Sequence, residues 1–254
     1  MARLHPMFLL PLLLVLAAGP APAAAHPMAP DVKALVDRMQ GFYERTQDFT
    51  ADFKQEYVYK AFNRTVVSTG TVAFQKPAKM RWEYLTPSKR SFVLSGERIY
   101  AFDPEAQTLT KAALPTSQLS ASVTFLWGKG KLSDEFDISR TECKECLGTL
   151  LTLVPKKPDA RFREVQLDID PKTAQVRRSI VIDPDGSRNT ITFSNLKTNV
   201  SVPKETFQLT PPPGTQIIDT TTTSAGHCAS AAWQLCSSRL AARTEADRPA
   251  QAPR

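Results

Sequence analysis

Apolar and polar positions alternate with a period of two along most of the chain, and the alternation is clearest between Gly70 and Pro87. Val72 and Phe74 interleave with Thr71, Ala73 and Gln75, and Met80, Trp82 and Tyr84 with Arg81 and Glu83. Such spacing marks strands with one buried and one wet face. Lys76-Pro77-Ala78-Lys79 separates the two runs, and proline, with its fixed φ and missing N–H, suits a turn. The pair therefore reads as an antiparallel hairpin with a large aromatic inner face. Further short runs extend the pattern on both sides: Phe49–Tyr59, Ser91–Leu94, Arg98–Phe102, Thr108–Ala112, Phe136–Arg140, Leu147–Val154, Glu164–Asp170, Val176–Ile182, Asn189–Leu196 and Phe207–Leu209. Gly and Pro dipeptides such as Ser95-Gly96, Asp103-Pro104, Asp170-Pro171 and Asp183-Pro184-Asp185-Gly186 punctuate them, which predicts an antiparallel meander rather than βαβ units.

Two stretches depart from this period. Val32, Leu35, Val36, Met39, Phe42 and Tyr43 recur at spacings of three and four behind Pro30-Asp31, the stripe of an amphipathic helix with Asp31 as its cap. Leu119–Trp127, which contains Val123, Phe125, Leu126 and Trp127, is apolar on either template and reads as a short helix or loop lying over the sheet. A curved sheet would turn Phe53, Val72, Phe74, Met80, Trp82, Tyr84, Phe92, Leu94, Ile99 and Phe102 inward. These side chains either form a conventional core or line a cavity. Since apolar faces more often pack on each other, the pattern alone favours the core.

The chain has 254 residues, and its ends differ from its body. Arg3, the apolar run Phe8–Ala18 and Ala23-Ala24-Ala25 form a secretory signal peptide over residues 1–25, too short for a membrane span. No cysteine stands near its cleavage site to carry a lipid anchor, so the exported product is expected to be soluble. Residues 26–219 form one β domain. The tail 220–254 begins with the low-complexity run Thr220–Ser224 and reads as mostly disordered. Of the net charge of +7, Arg3 supplies one and the tail a net two, leaving +4 for the body. That mild excess allows weak attraction to an anionic membrane surface and is no nucleic-acid footprint.

The three histidines, His5, His26 and His227, all lie outside the body. Histidine-based nucleophile systems and histidine metal sites are thereby excluded from residues 31–219, and carboxylates on polar faces and turns read as solvated charge. No catalytic residue, metal or cofactor is expected. Cys143 and Cys146 lie between two predicted strands, where an exported chain would form a local disulfide clamping the hairpin. A redox pair would need a helix N-terminus in a βαβ setting. Cys228 and Cys236 are left in the tail, and four cysteines allow three pairings.

Several stretches, in order, resemble the periplasmic outer-membrane lipoprotein carrier family, LolA. They are Phe49-Thr-Ala-Asp-Phe53-Lys-Gln55, the run from Gly70 through Phe74, Lys76, Pro77 and Trp82 to Pro87, Leu94-Ser95-Gly96 with Tyr100 and Asp103-Pro104, and Phe207 to Gly214 with its Pro-Pro-x-Gly. The resemblance implies an unclosed antiparallel β-barrel, mainly β with a few helices, and a helical lid over an apolar cavity for lipoprotein acyl chains. It also implies the partners: lipoproteins as cargo, an inner-membrane ABC lipoprotein exporter as donor, and an outer-membrane lipoprotein as acceptor, with the carrier a monomer. Leu35, Val36, Met39 and Phe42 would belong to the lid with Leu119–Trp127. The family places arginine before the hairpin proline, where it hydrogen-bonds the lid. This chain has Lys76 there, which keeps the charge but loses the planar fork of donors, and is expected to latch the lid. The alternative reading on the same fold is an envelope-stress sensor or lipid-binding interaction module.

Overall fold

The computed structural model describes residues 28–114 and 130–221. The expected leader, the Leu119–Trp127 segment and Cys228 and Cys236 lie outside the described residues. Helix α1 spans Pro30–Arg45. It begins one residue earlier than its predicted cap, because proline fits the first helical position, where an N–H would be unpartnered anyway. Asp31 is therefore not the N-cap. It sits in the first turn, where negative charge suits the helix dipole, 3.5 Å from Arg140.

Twelve strands follow in one sheet. The first six are β1 (Asp48–Tyr59), β2 (Arg64–Gln75), β3 (Lys79–Thr86), β4 (Arg90–Ser95), β5 (Arg98–Asp103) and β6 (Thr108–Ala113). A one-turn helix α2 (Leu132–Glu135) precedes β7 (Phe136–Thr141), β8 (Thr149–Pro155), β9 (Glu164–Ile169), β10 (Val176–Ile182) and β11 (Arg188–Thr198). The last strand is β12 (Gln216–Asp219). The order is β12-β6-β5-β4-β3-β2-β1-β11-β10-β9-β8-β7, a curved sheet with two free ends, so the barrel is unclosed. The strands pair antiparallel with one exception: β12 runs parallel to β6. Strand β1 joins the two halves, with β2 on one side and β11 on the other.

Phe207–Leu209 is not a strand. Lys204–Phe207 forms a 3-10 turn, and the segment around it lies across the outer face, where Val202 and Phe207 pack on Val93, flanked by Ala73, Tyr100 and Leu209. Arg81 fastens this strap by donating to the carbonyls of Thr206 and Gln208, both at 3.0 Å. Prolines at 203 and 211–213 flank the apolar residues and deny them a sheet ladder.

The inner face carries two apolar clusters. Ile191 pairs with Ser179, and Asn189 with Val181, so the inner residues of β11 and β10 lie on one continuous face. One cluster joins the α1 stripe to β7–β10 through Phe136, Leu151, Leu153, Val165, Leu167 and Ile169. The other lies on β1–β4. Between them runs a buried polar seam in which Gln55 donates to Asn189 at 2.9 Å and the Tyr57 hydroxyl bonds Asp183. Burial and that carboxylate push the Tyr57 phenol well above its ordinary pKa.

Candidate apolar binding site

The β2–β3 hairpin forms as its pattern predicts. Phe74 pairs with Met80, Val72 with Trp82 and Gly70 with Tyr84, so the large side chains stand in two adjacent rows. Strand β4 adds a third, with Phe92 opposite Trp82 and Leu94 opposite Met80. Phe53 of β1 completes the site: its ring lies 4.7 Å from Trp82 and 5.1 Å from Tyr84, edge to face. Tyr84 meets Phe92 at 5.7 Å, and the Trp82 indole N–H points at the Met80 sulfur, 2.9 Å away. Thus Phe53, Val72, Phe74, Met80, Trp82, Tyr84, Phe92 and Leu94 are buried in one cluster, with Ile99 at its margin.

Phe102 does not join them. Ile99 and Ala101 border the inner cluster, whereas Tyr100 packs on the outer one. Side chains alternate along a strand, so Phe102, three residues from Ile99, shares the outer side with Tyr100. Period-two counting would have placed it there from the sequence. The inner cluster also holds residues that the sequence reading does not include: Phe49 (stacked on Phe74 at 5.0 Å), Ala51, Ile191 and the marginal Phe193 and Leu196. Phe49, Ala51 and Phe53 share one parity, a signal already present in the opening run.

The α1 residues lie apart from the aromatic cluster. Leu35, Val36 and Met39 are buried against β7–β10, with Phe42 partly buried beside them. Among the described residues, no helical side chain belongs to the aromatic cluster. Val123, Phe125, Leu126 and Trp127 lie outside the described residues.

Lys76 links the two regions. From the β2–β3 turn its ammonium donates to the carbonyls of Tyr43 (2.9 Å) and Glu44 (2.7 Å) in the last turn of α1. Carbonyls at a helix C-terminus lack partners further along the helix, and positive charge suits the dipole at that end. Desolvation pushes the Lys76 pKa down while Glu44 raises it. The backbone N–H of Lys76 also donates to the Gln47 carbonyl at 2.9 Å. Replacing Lys76 by leucine is expected to lower stability by about 1–2 kcal/mol and to speed amide exchange in residues 43–46, with Lys76→Arg restoring both. Unchanged exchange there would remove the latch.

Cys143 and Cys146 are disulfide-bonded, with their Cα atoms 5.4 Å apart. They border an outer-face cluster of Leu150, Ile180 and Ile182. The Arg178 guanidinium lies 3.1 Å from the Cys146 sulfur and 3.0 Å from a carboxylate oxygen of buried Asp168.

The large side chains of the aromatic cluster are buried, and Phe193 and Leu196 are partly buried at its margin. Residues 44–210 match the family model of the outer membrane lipoprotein carrier protein LolA. The outer-membrane lipoprotein carrier protein of Dechloromonas aromatica (strain RCB) is 28% identical over 183 residues, covering 72% of this chain and 86% of that protein. That of Bordetella pertussis (strain Tohama I) is 29% identical over 182 residues, with 72% and 85% covered. The namesake from Pseudoalteromonas translucida (strain TAC 125) is 28% identical over 199 residues, with 77% and 90% covered. Among solved structures, an uncharacterized conserved protein from Thermus thermophilus superimposes with a TM-score of 0.48 at 12% identity, over 74% of this chain and 98% of that one. With about two thirds of its length inside the family model, this chain belongs to the LolA family of outer membrane lipoprotein carriers.

Proposed function

We propose that this protein is a periplasmic carrier that shelters the acyl chains of lipoproteins against the aromatic inner face of β1–β4. It moves them from the inner to the outer membrane, receiving them from an ABC exporter and giving them up to an acceptor lipoprotein. The observation that supports this reading is the division of the inner face. The α1 stripe is spent on β7–β10, and among the described residues no helix contributes to the aromatic cluster. Leader 1–25 directs export, residues 26–219 form the carrier domain, and the tail follows it.

Each methylene of an acyl chain costs about 0.8 kcal/mol in water, and an apolar cavity removes that cost without covalent chemistry. Release needs an opening that is cheap. The Lys76 contacts provide one, because two hydrogen bonds to the end of α1 hold the helix to the hairpin that carries Phe74 and Met80. In this reading α1, latched to the hairpin through Lys76, is the element that moves, and cargo binding competes with that latch.

Native mass spectrometry of the exported protein, co-expressed with a triacylated lipoprotein, tests the reading. A one-to-one complex is expected, and Phe193→Glu at the rim of the aromatic cluster should lower its yield about tenfold while the fold survives. A folded protein that stays empty overturns the proposal.

A further inference from the structure

The β1–β2 hairpin outruns its neighbour. Strand β2 starts at Arg64, yet β3 pairs with it only from Thr69 onward, where β3 ends at Thr86. The last turn-ward residues of β2 thus project past the β3 end by about 15 Å, at roughly 3.3 Å per residue. Four large apolar side chains are exposed on this projection and at its base: Phe62 at 79%, Leu85 at 52%, Val67 at 44% and Val58 at 39%. Phe62 stands at the tip, beside Asn63, whose positive φ of 46° closes the turn. Strand alternation puts Val58 and Val67 on the outer face, opposite the aromatic cluster, and Leu85 sits in the β3 irregularity between Tyr84 and Thr86.

Cations surround these residues. Lys60 and Arg64 flank Phe62, Arg188 pairs with Val58 across β1–β11, and Lys89 follows the β3 end; all four are exposed. Among the described residues none of the four is held in an ion pair. The acidic groups nearby are Glu56, bound to Lys54 at 2.8 Å, Asp185, which accepts from the Ser187 N–H at 2.8 Å, and buried Asp183, which is bonded by the Tyr57 hydroxyl. An exposed aromatic tip between basic side chains matches an interface with an apolar interior and a negative surface. We infer that the β1–β2 hairpin tip is a membrane-contact element, with Phe62 entering the headgroup boundary of an anionic phospholipid bilayer and Lys60, Arg64 and Arg188 facing its phosphates.

A second copy of the chain fits less well. A two-fold contact through the tip would set Lys60 and Arg64 against themselves, and a single hairpin end is far smaller than the roughly 800 Å² per partner of a stable protein interface. The tip lies at the opposite end of β2 from the Lys76 turn and uses no residue of the proposed cargo site. The inference therefore stands or falls separately from the carrier reading.

Flotation of the exported protein, recovered from a periplasmic extract, with vesicles of phosphatidylglycerol and phosphatidylcholine tests it. Binding is expected to the anionic mixture, to weaken with added salt, and to be lost on pure phosphatidylcholine. Phe62→Glu and the pair Lys60→Glu with Arg64→Glu should each lower partitioning about tenfold or more, with thermal melting unchanged. Equal binding by the variants, or no binding to the anionic mixture, overturns the inference. So does concentration-dependent dimerisation that Phe62→Glu abolishes in a protein that never floats, since the tip would then serve a second copy.

Discussion

Replacing Gly70 by alanine is expected to lower stability by about 3–5 kcal/mol, a loss reserved for a few kinds of substitution. A Cβ built on Gly70 would lie 1.9 Å from the Glu83 carbonyl oxygen and 2.8 Å from two carbons of the Phe53 ring. The ring can turn aside; the carbonyl belongs to the β3 backbone and has nowhere to go. Gly70 pairs with Phe53 on one side and Tyr84 on the other, beside the irregularity where the β2–β3 register shifts. The missing side chain is therefore what lets Phe53 lean across the strand to meet Trp82 and Tyr84. Urea denaturation would register the change as a lower midpoint at constant slope. A midpoint close to that of the unchanged protein would mean that β3 can move away, and that the aromatic rows are loosely held.

Arg178→Met should be nearly as damaging, at about 3–5 kcal/mol, because it strands a charge. Asp168 is buried, and Arg178 is the partner of one of its oxygens. The same guanidinium reaches the Cys146 sulfur, so the variant also loosens the turn that covers Leu150, Ile180 and Ile182. Removing the carboxylate as well, in Arg178→Met with Asp168→Leu, should recover most of the loss, since an apolar pair of similar volume leaves nothing unsolvated. Chemical denaturation of the single and double variants gives the comparison. A double variant no more stable than Arg178→Met would place the effect in the cysteine turn rather than in the ion pair.

Most strands were legible because one wet face and one dry face leave a period-two trace. What the trace does not record is the partner. The α1 stripe announced a buried face, yet only the fold reveals that this face meets β7–β10 rather than the aromatic rows. Strand β12 left no trace: all four residues, Gln216–Asp219, are exposed, and its pairing with β6 comes from backbone alone. Phe207–Leu209 failed differently, since two apolar residues among prolines support a strap as well as a strand. Phe102 was misplaced by treating an apolar run as one face, against its own alternation. Lys76 was the most informative single position. The family resemblance gave it the role of latching a lid, and its ammonium bonds the carbonyls of Tyr43 and Glu44 at the end of α1.

The pairing of β1 with β11 joins residues 49–58 to residues 188–198. During synthesis, β1 can zip onto β2 almost at once, while its other edge waits for about half the chain to arrive. Loop closure over such a span is slow, and an uncovered edge of that length is a template for pairing with a stranger. The nascent molecule is thus at its most vulnerable in the interval before β11 docks, and the polar seam on that ladder, Gln55 with Asn189 and Tyr57 with Asp183, rewards the correct register over a slipped one.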